Sequence, residues 1–132
     1  MNRYFQTPPV VKNLIIINLL IYMAMALIPE ARLFLDHFGA LQVGPRMLGY
    51  DFHAYQFITY MFLHANFEHI FFNMFALWMF GRTLEYDLGS RRFLIYYMVC
   101  GIGAALIQAG IATAMGQPMA LVGASGAVMG LL

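Results

Sequence analysis

Three long apolar runs and the start of a fourth dominate this chain: Val10 to Ile28, closed by Pro29; Phe57 to Phe80, closed by Gly81; Phe93 to Met115; and a last one opening near Ala120. In a bilayer no solvent reaches the backbone, so a spanning segment must satisfy its own N–H and C=O groups, as a helix does. A helix crosses a hydrocarbon core of roughly 30 Å with about 20 residues. The first three runs are long enough. Ala120 to Leu132 covers only about two thirds of that thickness, so the fourth run reads as cut in mid-helix. Of the 132 residues, 62% are hydrophobic and 10% charged, far from the balance of a soluble domain. The expectation is an all-α polytopic membrane protein, a single domain over residues 1–132. Its spans lie at about 10–28, 57–80 and 93–115, with an incomplete one at 120–132.

A formal net charge of +1 offers no basic surface for nucleic acid, so partners belong to the bilayer. Cys100 is the single cysteine and lies in an apolar run, which excludes an intramolecular disulfide. No small-residue cleavage site follows the first apolar run, which therefore reads as a retained span. Arg3 and Lys12 precede the first span, and Arg82, Arg91 and Arg92 join the second to the third; Arg32 and Arg46 alone lie between the first and second. Cytoplasmic loops carry the excess of cations. The N-terminus is thus expected in the cytoplasm, and the protein in a plasma membrane of bacterial type. The Glu30 to Gln56 connection and the Gly116-Gln117-Pro118 turn then face outside. That connection is long for a turn and is punctuated by Gly39, Gly44-Pro45 and Gly49. Its stretch Arg32-Leu33-Phe34-Leu35-Asp36-His37-Phe38 mixes aromatic and charged groups as short interfacial helices do.

Polar side chains within apolar spans are costly unless they face a partner or a wet cavity, which singles out His64, Asn66, Glu68, His69 and Asn73. Such side chains also act as hydrogen-bond glue between helices. Glu68 is the unusual member, and an exposed position near an aqueous cavity is expected for it. Zinc helices place two ligands four apart. His64 and His69 are five apart, a rotation of about 140° in a regular helix, so on one helix they do not converge on an ion. His69 and Asn73 are four apart and share a face. An imidazole and an amide suit hydrogen bonding to a developing oxyanion better than metal ligation. In the fourth run, Gly123-Ala124-Ser125-Gly126 puts a hydroxyl near a helix N-terminus, where unpaired N–H groups and the positive dipole end favour negative charge. Gly126 with Gly130, and Gly123 with Ala127, are small pairs suited to close packing, with Gly101, Ala105 and Ala109 marking the third span as the partner face. The motif is not the G-x-S-x-G elbow of soluble hydrolases, because Ala127 fills its last position.

Taken together these residues resemble the rhomboid intramembrane serine proteases. His64-Ala65-Asn66-Phe67-Glu68-His69-Ile70-Phe71-Phe72-Asn73 is similar to the family's H-x4-H-x3-N signature, and Gly123-Ala124-Ser125-Gly126 to its G-x-S-G nucleophile motif. Gly81-Arg82-Thr83-Leu84-Glu85 followed by Gly89-Ser90 is similar to its G-x3-E-x3-G-S turn. The resemblance covers nearly the whole chain. It implies a rhomboid-like helical bundle, truncated to three full spans and part of a fourth. It further implies an intramembrane serine endopeptidase, needing no metal or cofactor, that cleaves single-span membrane protein substrates in or near their transmembrane segments with water from the outer face. By the same resemblance Ser125 is the nucleophile, and His69 and Asn73 are oxyanion-stabilising side chains joined by the Ser125 backbone amide. His64 supports the hydrogen bonding of the second span and is not a base; Glu85 ties the turn after it.

The pattern also departs from the family's. Rhomboids supply the general base as a histidine on the sixth span, whereas the four histidines here are His37, His53, His64 and His69, and none follows Ser125. A serine hydroxyl is a weak nucleophile without a base, so residues 1–132 alone are expected to be inactive. Tyr55-Gln56 stands where many members carry Trp-Arg, which bears on loop anchoring, and Met129 where an aromatic often packs against the catalytic histidine. The alternative function is a rhomboid-like pseudoprotease that binds membrane clients without cleaving them. A channel or transporter fragment is disfavoured by the lack of paired carboxylates and broken-helix repeats. Cysteine-accessibility labelling tests the orientation. A cysteine replacing Asp87 is expected to react only from the cytoplasmic side, and one in the Glu30 to Gln56 loop only from outside; the reverse pattern overturns the assignment.

Overall fold

The computed structural model describes residues 6–43, 53–116 and 119–131. Arg3, Arg46, Gly44-Pro45, Gly49 and Gln117-Pro118, all used in the sequence reading, lie outside them. Among the described residues the fold is helical apart from one short two-stranded ribbon.

Helix α1, Pro9–Leu27, starts on a proline whose missing N–H is no loss in a first turn. It stops where Ile28 is extended ahead of Pro29, which excludes the helical conformation from the residue before it. Val11, Leu14, Asn18 and Met25 are its buried stripe, while Ile16, Leu20, Met23 and Leu27 point away from the protein. Helix α2, Pro29–Gly39, follows at once and carries the aromatic and charged stretch expected at the interface; Leu33 and Phe34 are exposed, and Arg32 pairs with Asp36 at 3.7 Å.

The second apolar run is not one helix. Residues Gln56–Thr59 form α3, a 3-10 turn follows over Tyr60–Phe62, and the chain is then extended at Leu63 and again at Asn66. Helix α4, Phe67–Ala76, begins only there. The Asn66 side chain accepts the His69 N–H at 2.9 Å, closing one of the unpaired donors of the first turn, and Glu68 sits in that turn where the dipole favours a carboxylate. The main helix of the 57–80 run therefore starts ten residues later than the run itself. It runs from Phe67 through a single π-helical turn at Leu77–Gly81 into α5, Arg82–Leu88, and ends at Gly89, whose φ is +88°. Gly81 does not terminate it. A Cβ there would come within 3.1 Å of Val11 and Leu77 and 3.3 Å of Phe93, so this glycine lies where three helices pack tightly together.

Helix α6, Ser90–Ala114, buries Phe93, Tyr97, Gly101 and Ala105 along one stripe. Both α1 and α6 are long and apolar enough to cross a membrane, with 22% and 17% of their apolar windows buried, so most of each faces outward. At the end of the bundle where α1 starts, Glu85 is 2% exposed and its carboxylate accepts the N–H groups of Val10 and Val11 at 2.9 and 2.8 Å and the Ser90 hydroxyl at 2.6 Å. One side chain thus caps α1 and holds the start of α6 to α5.

At the other end, strand β1, Leu41–Val43, pairs antiparallel with β2, Met119–Leu121, in the register Leu41 to Leu121, Gln42 to Ala120 and Val43 to Met119. Gln56, fully buried, accepts the Gln42 N–H at 3.1 Å and donates to the Phe38 carbonyl at 3.3 Å, while Thr59 donates to the Gly39 carbonyl at 2.7 Å. A glutamine amide, donor and acceptor at once, anchors this loop at the Tyr55-Gln56 position. The fourth run contributes α7, Ser125–Met129, which packs antiparallel on α6: Gly126 lies against Ala104 and Gly130 against Cys100, and Tyr96 donates to the Gly130 carbonyl. The partner stripe is therefore one residue round from the expected Gly101, Ala105 and Ala109. Gly101 and Ala105 point into the core, where Gly101 receives Met61.

Replacing Glu85 by Ala strands two helix-start donors, one buried at Val11 and one half-buried at Val10. Hydrogen bonds to a charged group contribute about 1.5–3 kcal/mol each, so equilibrium unfolding in micelles is expected to show a loss of about 3 kcal/mol or more; unchanged stability would contradict the capping role.

Candidate active site

The break in the second run and the turn before α7 are built against each other. Gly123 has a φ of +113°, a conformation that suits glycine, and its N–H donates to the Tyr60 carbonyl at 2.8 Å. The next N–H, of Ala124, donates to His64 Nε2 at 3.3 Å. Two successive donors that no strand or helix satisfies are thus taken up by the extended segment and 3-10 turn of the broken run. Ala124 is buried, and Ser125, the first residue of α7, is exposed.

His69, in the first turns of α4, presses on the same turn. A Cβ on Gly123 would fall 2.5 Å from His69 Cε1 and 2.7 Å from Nε2, so the imidazole lies directly over the Gly123 Cα. Asn73, one turn further along α4, is buried and donates one amide hydrogen to the His69 carbonyl at 2.8 Å. Its second amide hydrogen is left for another acceptor. Because Nε2 of His64 accepts from Ala124, the proton of its neutral ring resides on Nδ1. His64 is 1% exposed, and this bond gives a polar ring in an apolar interior a fixed orientation.

The expected residues fall in three places. His69 and His64 both contact the Gly123-Ala124 turn, Asn73 stands behind His69, and Glu85 lies at the opposite end of the bundle. The two imidazoles do meet, with ring centroids 5.2 Å apart at 70°. The helical rotation that would separate them does not apply, because His64 precedes the Asn66 cap and is not on α4. Among the described residues no three His, Cys, Asp or Glu side chains gather as metal ligands. Glu68 is exposed in the first turn of α4.

Two contributors escaped the sequence reading. Tyr60 acts through its carbonyl, which every residue possesses and no motif reports. Gln56 is visible in the sequence only as a departure from Trp-Arg.

A model of the Rhomboid domain matches residues 51–132, the stretch that contains His64, His69, Asn73, Glu85 and Ser125. The rhomboid protease GluP of Bacillus subtilis (strain 168) is 41% identical over 64 residues, which is 48% of this chain and 12% of that protein's length. With the Rhomboid domain matching more than half of this chain and an apolar, helical fold around the matched motifs, this chain belongs to the rhomboid family.

Proposed function

We propose that the intact protein is an intramembrane serine endopeptidase in which Ser125 attacks a peptide carbonyl in or near the transmembrane segment of a single-span substrate. The observation that supports this most is the seating of the His69 ring over Gly123, in the turn that presents the exposed Ser125. As the serine oxygen adds to the carbonyl carbon, negative charge builds on the carbonyl oxygen. His69, the free hydrogen of the Asn73 amide and the Ser125 N–H serve as its donors, and preorganised donors of this kind need no rearrangement during reaction. The proton of Ser125 passes to a histidine on a helix other than α1 to α7, which then returns it to the leaving amine; water from the outer face releases the acyl group. His64 holds the turn and does not act as base, since its Nε2 is committed to Ala124. Residues 1–132 form the N-terminal part of one membrane domain, with the N-terminus in the cytoplasm of a bacterial-type cell and Ser125 near the outer surface.

Fluorophosphonate labelling in one detergent tests this reading. The intact protein is expected to label, and the Ser125→Ala variant and residues 1–132 alone are not. His69→Ala and Asn73→Ala each slow labelling and cleavage, by up to the 100- to 1000-fold that loss of one oxyanion donor costs elsewhere. An intact protein that does not label favours a pseudoprotease that binds clients, and Ser125-dependent labelling of residues 1–132 would make His69 the base.

A further inference from the structure

We propose that Tyr60 is the positioning residue of the nucleophile turn, holding it from beneath at both ends so that Ser125 meets the substrate in one orientation. This rests on the protease reading above. Tyr60 is 2% exposed and lies at the start of the 3-10 turn that precedes the break. Its carbonyl takes the Gly123 N–H at 2.8 Å, two residues before Ser125. Its hydroxyl donates to the Gly101 carbonyl of α6 at 2.5 Å and lies under the residue after Ser125, because a Cβ on Gly126 would stand 3.2 Å from that oxygen. The same Gly126 backbone rests on Ala104 of α6.

One residue therefore connects three things that must keep register: the turn, the first residues of α7, and α6. A phenol suits the task. It reaches from its own backbone to the neighbouring helix through a rigid ring with only two side-chain torsions. The hydroxyl is buried and its hydrogen is spent on Gly101, so it does not touch substrate; it acts only through the placement of Ser125 relative to His69 on α4. Placement of that kind matters to rate more than to binding, since a shift of about 1 Å costs on the order of 100-fold.

Tyr60→Phe removes the hydroxyl while keeping the ring and the carbonyl. The Gly101 carbonyl retains its place in the α6 ladder, so no buried acceptor is stranded. In the intact protein reconstituted in liposomes, kcat for a single-span model substrate is expected to fall about 10- to 100-fold with KM within about two-fold of wild type. Amide exchange of a peptide covering Val122 to Gly126 is expected to quicken while that of α1 stays unchanged. Exchange at the turn equal to wild type overturns the proposal, as does exchange quickened throughout the chain together with a lowered unfolding temperature, which would make Tyr60 an ordinary core residue. A wild-type protein that neither cleaves nor labels overturns the protease reading instead, and the exchange comparison still decides the role of Tyr60.

Discussion

Two hydrogen bonds from irregular backbone hold the Ser125 end of this molecule together: Gly123 N–H to the Tyr60 carbonyl and Ala124 N–H to the His64 side chain at Nε2. In an apolar surrounding an unpaired backbone group costs several kcal/mol, so irregular backbone is tolerated there only where protein satisfies it. The break after Tyr60–Phe62 and the turn before α7 are each untenable alone, and each supplies what the other lacks. The proposed nucleophile inherits its position from that exchange. Ser125 stands on the first residue after two pinned amides, on a helix whose glycines rest against Ala104 and Cys100 of α6.

The opposite end is held by a different device. Glu85 gathers donors from α1 and α6 into one buried carboxylate, and Gly81 lets Val11 and Phe93 approach the α4–α5 helix a turn away. Charge with full hydrogen bonding is the form in which a buried carboxylate is tolerated. The three helices are thus fixed where they meet at the Glu85 end, and the Ser125 end is left to the β1–β2 ribbon, Gln56, Tyr60 and His64. The ribbon joins helix α2 to the turn, since β2 ends only three residues before Ala124 and β1 starts just beyond α2.

The first and third apolar runs coincide with α1 and α6, because each is a single helix that faces outward over most of its surface. The second run departs from a single helix for a physical reason. An apolar window averages over Asn66 and Glu68, yet those two residues set where α4 begins, one as a side-chain cap and the other as a charge at the dipole's positive end. The spacing of His69 and Asn73 was legible since it depends only on the helical repeat. The partner of His64 was not, because a hydrogen bond across sixty positions, to a main-chain N–H, leaves no trace in composition or period. The same holds for the ribbon, whose strands are three residues each, and for the packing stripe on α6, where Cys100 and Ala104 are no smaller than Gly101, Gly103 and Ala105 beside them.

His64 serves as a fixed acceptor for the turn that presents Ser125. Nitrogen NMR on the intact protein in bilayers, with histidine and alanine isotopically labelled, reads this directly. The expected result is a His64 ring protonated at Nδ1 and bare at Nε2, with Nε2 coupled through the hydrogen bond to the Ala124 amide nitrogen. A ring protonated at Nε2, or an Ala124 amide with no coupling to it, would contradict the account.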